Sequence, residues 1–319
     1  MLAEFMLHVA SKAFHWRPIK FAARAHVRQD AYMNICSTSE ARLQEWVGRT
    51  ETSDDIVTAA PLAGLAATLD RDDAAPRIGD ALPPLWHWLF FVPRPRQSEL
   101  GPDGHAARGG FLPPVALPRR MWAGGRLEWH APLRVGDEVR RVSRVASVTQ
   151  KKGRSGDLVF VLVTHEVSNE AGLALTEEHD IVYRPAPEAG SSTAPPPRAP
   201  TDEHWSRRIV PDDVLLFRYS ALTFNGHRIH YDRRYVTEVE GYSGLVVHGP
   251  LIATLLVDLL RRHRPDATLA RFSFRAVGPL FEPSAFELCG RPESDGRSVQ
   301  LWARDADGGM AMQATAELT

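Results

Sequence analysis

At 319 residues the chain is too long for one average domain and about right for two, since a domain commonly runs ~100 to 150 residues. A hydrophobic fraction of 44%, a charged fraction of 24% and a net charge of -1 carry no basic excess to draw the chain onto nucleic acid or an anionic membrane. No run of ~18 apolar residues is present to span a bilayer, and Cys36 and Cys289 offer no disulfide framework, CxxC pair or thiolate metal site.

Met1 to Tyr32 carries Lys12, Arg17, Lys20, Arg24 and Arg28 against Glu4 and Asp30, a cationic pattern that a mitochondrial presequence shares. Met33 then precedes Ser37, Thr38, Ser39 and Glu40 and a periodic helix, so residues 1–40 are expected to be a disordered N-terminal extension. Leu43 to Gly48 and Ala59 to Leu69 read as short helices, and Leu85 to Val92 is a dense apolar block expected to form the central-helix core of the first half or a wall of a substrate pocket. Val139–Val148, Leu158–Val167 and Ala174–Val182 alternate apolar and polar residues with β-branched enrichment, which predicts an antiparallel meander. Helices followed by a meander make an α+β pattern, not a βαβ nucleotide fold.

Pro185 to Pro200 crowds prolines, glycine and serines without hydrophobic period, and residues 187–203 are read as an interdomain linker between a domain at 41–186 and one at 204–319. After it, Gly249 and Pro250 open a nearly all-apolar helix that closes with Arg261, Arg262 and His263 before Pro265. So apolar a helix must be wrapped on most sides. Strands follow at Arg271–Val277, Ala285–Gly290, Val299–Arg304 and Met310–Leu318. The phrase Pro132, Leu133 then Gly136 to Val139 matches Pro279, Leu280 then Pro283 to Phe286, and with the repeated order of elements it suggests a duplicated domain.

The segment from Leu216 to Leu251 packs Asn225, His227, His230 and Asp232 together and then delivers His248, Gly249 and Pro250 at the mouth of the apolar helix. Adding water across an α,β-unsaturated thioester needs such an arrangement. The carbonyl becomes an enolate, which a free amide at a helix N-terminus stabilises on the order of 100-fold or more. Gly249 is the candidate donor, because Pro250 has no amide and glycine lets substrate approach the backbone. Proton transfer adds ~100 to 10,000-fold, and His230 is the candidate base.

Phe224 to His230 followed by Val247-His248-Gly249 resembles the MaoC-like, or type 2 hydratase, group of hot-dog enzymes. The group's usual aspartate is Asn225 here and its usual asparagine is His227. The phrase Thr-Phe-Asn-x-His-x-Ile-His at 223–230 looks more narrowly like the itaconyl-CoA and mesaconyl-C4-CoA hydratases and the type 2 3-hydroxyacyl-thioester dehydratases. The resemblance implies a tandem, double hot-dog fold, each half an antiparallel sheet around a central helix, with the N-terminal copy degenerate and catalytically silent.

On that reading His230, Asn225 and Gly249 are catalytic, with Asn225 holding water or orienting His230 rather than exchanging protons, and His230 carrying both proton transfers in turn. Arg218, Arg228, His227 and His248 are substrate-binding candidates, an arginine suiting a carboxylate or a CoA phosphate. Asp232 and Glu240 are candidate substitutes for the missing carboxylate, although Asp232 reads more readily as a helix cap or a solvated residue. No metal or other cofactor is expected, since His227 and His230 lack a third ligand at standard spacing. The substrate is an acyl-CoA or acyl-carrier-protein thioester, with a short carboxylated acyl group favoured. The setting is a cytoplasmic homo-oligomer, in the mitochondrial matrix if eukaryotic. The rivals are an acyl-carrier-protein dehydratase, a hot-dog thioesterase and a non-catalytic acyl-thioester binding subunit.

Overall fold

The computed structural model describes residues 40–153, 156–186 and 195–319; residues 1–39 of the expected extension and residues 187–194 of the expected linker lie outside the described residues. Ten strands form one antiparallel sheet in the order β1-β3-β4-β5-β2-β7-β10-β9-β8-β6. The first five are β1 (Thr50–Ile56), β2 (Arg119–Trp129), β3 (Glu138–Gly153), β4 (Gly156–Asn169) and β5 (Gly172–Arg184). The second five are β6 (Trp205–Ile209), β7 (Leu269–Ala276), β8 (Phe286–Pro292), β9 (Ser298–Arg304) and β10 (Met310–Leu318). Each half contributes the same order read outward from the centre, so the sheet has a pseudo-dyad between β2 and β7. Gly125 sits opposite Phe274 at that seam, and a Cβ there would lie 2.9 Å from the Phe274 ring, which is why the middle of β2 carries glycine.

The duplicated phrase marks equivalent corners. Ala81 bridges Arg134 in the first half and Val246 bridges Phe281 in the second. Leu82 N–H donates to the Leu133 carbonyl at 2.7 Å, and Val247 N–H donates to the Leu280 carbonyl at 2.9 Å. Beyond this shared corner the halves diverge. The second half continues into the helix Gly249–His263, whose residues from Leu251 to Leu260 are all buried. The first makes only a four-residue 3-10 turn, Trp86–Leu89. Leu85 at φ 69° and Phe91 at φ 54° flank that turn, and Pro93 and Pro95 prevent its resumption. The apolar block thus occupies the central-helix position but not as a helix, and the space a full helix would fill stays open.

The remaining helices are α1 (Glu40–Gln44), α2 (Ala59–Thr68) and α3 (Asp213–Leu222), which makes the long one α4 (Gly249–His263). Asp258, 1% exposed on α4, meets Arg71 at 2.5 Å, Arg207 at 2.8 Å and Arg262 at 2.7 Å. Arg71 follows α2 and Arg207 lies on β6, so this one carboxylate ties both halves to the central helix. At the proline-rich segment, Met310 N–H donates to the Pro197 carbonyl at 2.8 Å and Ala199 N–H to the Gly308 carbonyl at 3.0 Å, so residues 195–200 lie along the β9–β10 turn.

Candidate active site

Helix α3 is capped by Asp212, whose carboxylate accepts from Leu215 N–H at 2.7 Å. It ends at Thr223, and Phe224 turns the chain at φ 49°. The Asn225 side-chain oxygen then accepts from His227 N–H at 3.0 Å, a local turn that sets up the short 3-10 segment Arg228–His230. That segment aims His230 inward. Its Nδ1 lies 2.7 Å from the Val246 carbonyl, which can only accept, so Nδ1 carries the proton and Nε2 keeps its lone pair. Burial, against the opposing pull of the Val246 carbonyl, lowers the His230 pKa to about 4. At neutral pH it is an uncharged base.

His248 stacks on His230 with ring centroids 3.7 Å apart and planes 18° apart. It is fully buried, its Nε2 lies 2.8 Å from Ser220 Oγ, and it does not line the cavity. His248, expected among the substrate-binding residues, backs the His230 ring. Gly249, the first residue of α4, does line the cavity, and the nearest atom to a Cβ there would be the Trp122 carbonyl at 3.9 Å. As a first-turn residue it has no intrahelical acceptor for its N–H.

The cavity has a volume of about 1760 Å³ and takes walls from both halves. Asn225, His227, Arg228, His230 and Gly249 line it. Arg218, expected among the substrate-binding residues, does not; it is exposed on α3. Arg228 lines the cavity, but its charge is engaged by Asp232 at 2.7 Å and its ring-facing side lies 4.1 Å from the Tyr235 ring. Of the two arginines expected to bind substrate, Arg228 is thus the one at the cavity, with Asp232 as its partner. Asp232 caps as expected, accepting from Tyr235 N–H at 3.0 Å.

Arg120, on β2 opposite Tyr183, lines the same cavity and has no carboxylate partner among the described residues. Burial first, and then charges that include Arg120, depress the pKa values of His105 and His227. Arg119, beside Arg120, is occupied by Glu240 at 3.3 Å.

The N-terminal half brings polar groups that sequence reasoning missed. Glu177, 3% exposed, accepts from Trp88 Nε1 at 2.8 Å and lies 3.0 Å from His87 Nε2 and 2.7 Å from His179 Nε2. Burial alone would raise the Glu177 carboxyl, but His179 and His87 hold it well below the usual range. His165 extends the chain, with Nδ1 2.8 Å from Ser143 Oγ. The available signal was Glu177 and His179 two apart on one face of a strand, opposite His165. Nearer His230, Asp103 and His105 reach the cavity on a tight turn at 100–107 and stand beside His227, the donor atoms of the three lying within 4.8 Å of one another.

A family model described as hydroxyacyl-thioester dehydratase type 2 matches residues 85–282. A mesaconyl-C4-CoA hydratase of Chloroflexus aurantiacus is 48% identical over 280 residues, covering 88% of this chain and 99% of that protein. A mitochondrial hydroxyacyl-thioester dehydratase type 2 of Schizosaccharomyces pombe is 26% identical, covering 74% of this chain and 88% of its own. Among solved structures, a MaoC-like dehydratase superposes with TM-score 0.64 at 17% identity, over 86% of this chain and 99% of that one. A Mycobacterium tuberculosis protein described as a double hot-dog does so at 0.52 and 14% identity, over 86% and 96%. The fold is the tandem hot-dog.

Proposed function

The chain belongs to the hydroxyacyl-thioester dehydratase type 2 family and is a hydro-lyase of acyl thioesters, and from that premise we propose that it reversibly hydrates a short, carboxylated enoyl-CoA to the 3-hydroxyacyl-CoA. The observation carrying the reading is His230: a buried, uncharged imidazole with its proton fixed on Nδ1, opening with the α4 N-terminus onto one cavity. In this reading Asn225 holds the water and His230 Nε2 takes its proton as the oxygen bonds to the β carbon. The Gly249 N–H meets the charge that develops on the thioester oxygen, an effect on the order of 100-fold or more.

The thioesterase rival is disfavoured, because the one acid on α4, Asp258, is held by three arginines and does not line the cavity. For the acyl group, support comes from the 48% identity to a mesaconyl-C4-CoA hydratase, whose substrate name implies a free carboxylate. Such an anion needs a cation, and Arg120 suits it better than Arg218 or Arg228, being in the cavity and free of a carboxylate partner among the described residues. The carrier is CoA and the setting the bacterial cytoplasm, readings supported by the same bacterial relative. No helix among the described residues is long and apolar enough to cross a membrane.

Arg120→Gln tests the acyl group. It is expected to raise KM for mesaconyl-C4-CoA by about 10- to 150-fold, the equivalent of ~1.5 to 3 kcal/mol for a charge-assisted hydrogen bond. KM for crotonyl-CoA, which lacks the carboxylate, stays within about threefold. Equal losses on both thioesters would assign Arg120 to the carrier instead.

A further inference from the structure

Hydration needs two proton transfers, one at the water that attacks the β carbon and one at the α carbon. His230 can serve one. Residue 225 cannot serve the other, because an asparagine amide does not exchange protons at neutral pH as a carboxylate does. Of the acids lining the cavity, Glu177 is committed to His87, Trp88 and His179, Glu240 to Arg119, Asp54 to Arg140 and Asp55 to Arg94 and the Phe91 N–H, while Glu51 is exposed on the edge strand β1. Asp103 is different: it is coupled to a histidine beside the His230 cluster.

The coupling is built by the turn at 100–107. His105 N–H donates to one Asp103 oxygen at 3.1 Å, and His105 Nδ1 lies 3.1 Å from the other, so the carboxylate takes the Nδ1 proton and Nε2 is left free. Gly101 N–H donates to the His105 carbonyl at 2.7 Å, which closes the turn. The turn is seated on the catalytic loop of the other half. Arg228 N–H donates to the Asp103 carbonyl at 2.9 Å, and Arg228 Nη1 donates to the Pro102 carbonyl at 3.0 Å. Gly104 stands at φ 88° with Gly226 directly against it, where an added Cβ would fall 1.9 Å from the Gly226 carbonyl oxygen. Only glycine permits that approach. The result is a row of rings: His105 lies 4.0 Å from His227, and His227 lies 5.3 Å from His230.

We infer that His105, held by Asp103, is the second proton-transfer residue of the site and handles the proton at the substrate's α carbon; the inference rests on the hydration reading above. In hydration, His230 Nε2 takes a proton from water while the C–O bond forms at the β carbon and the π electrons move onto the thioester oxygen. The proton taken by His230 passes through solvent in the cavity to His105 Nε2, and the α carbon takes it from there as the enolate collapses, so both imidazoles end the turnover uncharged as they began it. Asp103 keeps its charge throughout and stabilises the transient His105 imidazolium. Dehydration runs the same steps in reverse: His105 Nε2 removes the α proton, which passes through solvent to His230 and from there to the departing hydroxyl. The N-terminal half then supplies chemistry, not only a wall.

The test uses the full-length protein in D2O with methylsuccinyl-C4-CoA, a saturated thioester that can exchange its α hydrogens but cannot lose water. Mass spectrometry follows deuterium uptake, and hydration of mesaconyl-C4-CoA is measured in parallel. Wild type and His230→Gln are expected to exchange. His105→Gln is expected to lose both exchange and hydration by about 100-fold or more, with thioester binding unchanged within about threefold. A folded His105→Gln protein keeping more than about a tenth of wild-type hydration overturns the inference and leaves the proposed function standing. So does wild-type activity that is lost to a chelator and restored by zinc, which would make Asp103, His105 and His227 metal ligands instead. Failure of wild type to hydrate any enoyl thioester defeats both.

Discussion

His230→Gln is expected to lower kcat for hydration by about 100-fold or more, the minimum usually attached to a general base, while leaving the fold intact. Glutamine can still donate to the Val246 carbonyl and cover the His248 ring, so little packing is lost. What goes is the Nε2 lone pair. The pH profile should carry the same signature. A base must be unprotonated to work, and burial lowers the His230 pKa to about 4, so the acid limb of wild-type hydration should lie well below 6.5 and near 4. Retention of more than about a tenth of the activity in His230→Gln would assign the base elsewhere.

Asp258→Asn is expected to cost about 3 kcal/mol of stability, the low end for removing one partner of a buried ion pair. The carboxylate is 1% exposed and meets three guanidinium groups, one after α2, one on β6 and one on α4. Neutralising it leaves those cations facing one another. The low end applies because Arg71, Arg207 and Arg262 are 13%, 25% and 32% exposed and can turn partly toward water. The measurement is the urea midpoint with the slope held constant. A loss below about 1 kcal/mol would mean that the cluster does no more than a surface pair.

The meander strands β3, β4 and β5, and β7 to β10, were legible because one face of each is buried and side chains alternate. Helix α4 was legible from its apolar run behind Gly249 and Pro250. Strands β1, β2 and β6 were not. β1 is Thr-Glu-Thr-Ser-Asp-Asp-Ile at a sheet edge, β6 carries two arginines at the opposite edge, and β2 interrupts its pattern with glycines at the seam. The truncation of the first central helix was half legible: the apolar block was visible, and the prolines at 93 and 95 signalled that it could not run on.

At the site, the motif carried His230, Asn225 and Gly249 to one cavity, because those residues lie within one local turn and the helix start that follows it. The pairing of Arg228 was legible in the spacing: Asp232 stands four residues on, where an opposite charge meets it. The placement of His248 behind His230 was not, because the motif does not say which way a ring faces before a helix. His105 was out of reach. It stands 125 residues before His230 in a glycine-rich loop, and only the docking of Gly104 on Gly226 brings the two together.

The most direct test of the central claim is turnover by the purified wild-type protein. It is mixed with mesaconyl-C4-CoA and, separately, with crotonyl-CoA, while the absorbance of the conjugated thioester and the release of free thiol are followed together. The account predicts that absorbance falls fastest with the carboxylated thioester, that the product is one water heavier with its thioester intact, and that no thiol appears. Release of thiol without a hydrated product, or binding of both thioesters with no change in absorbance, would contradict it.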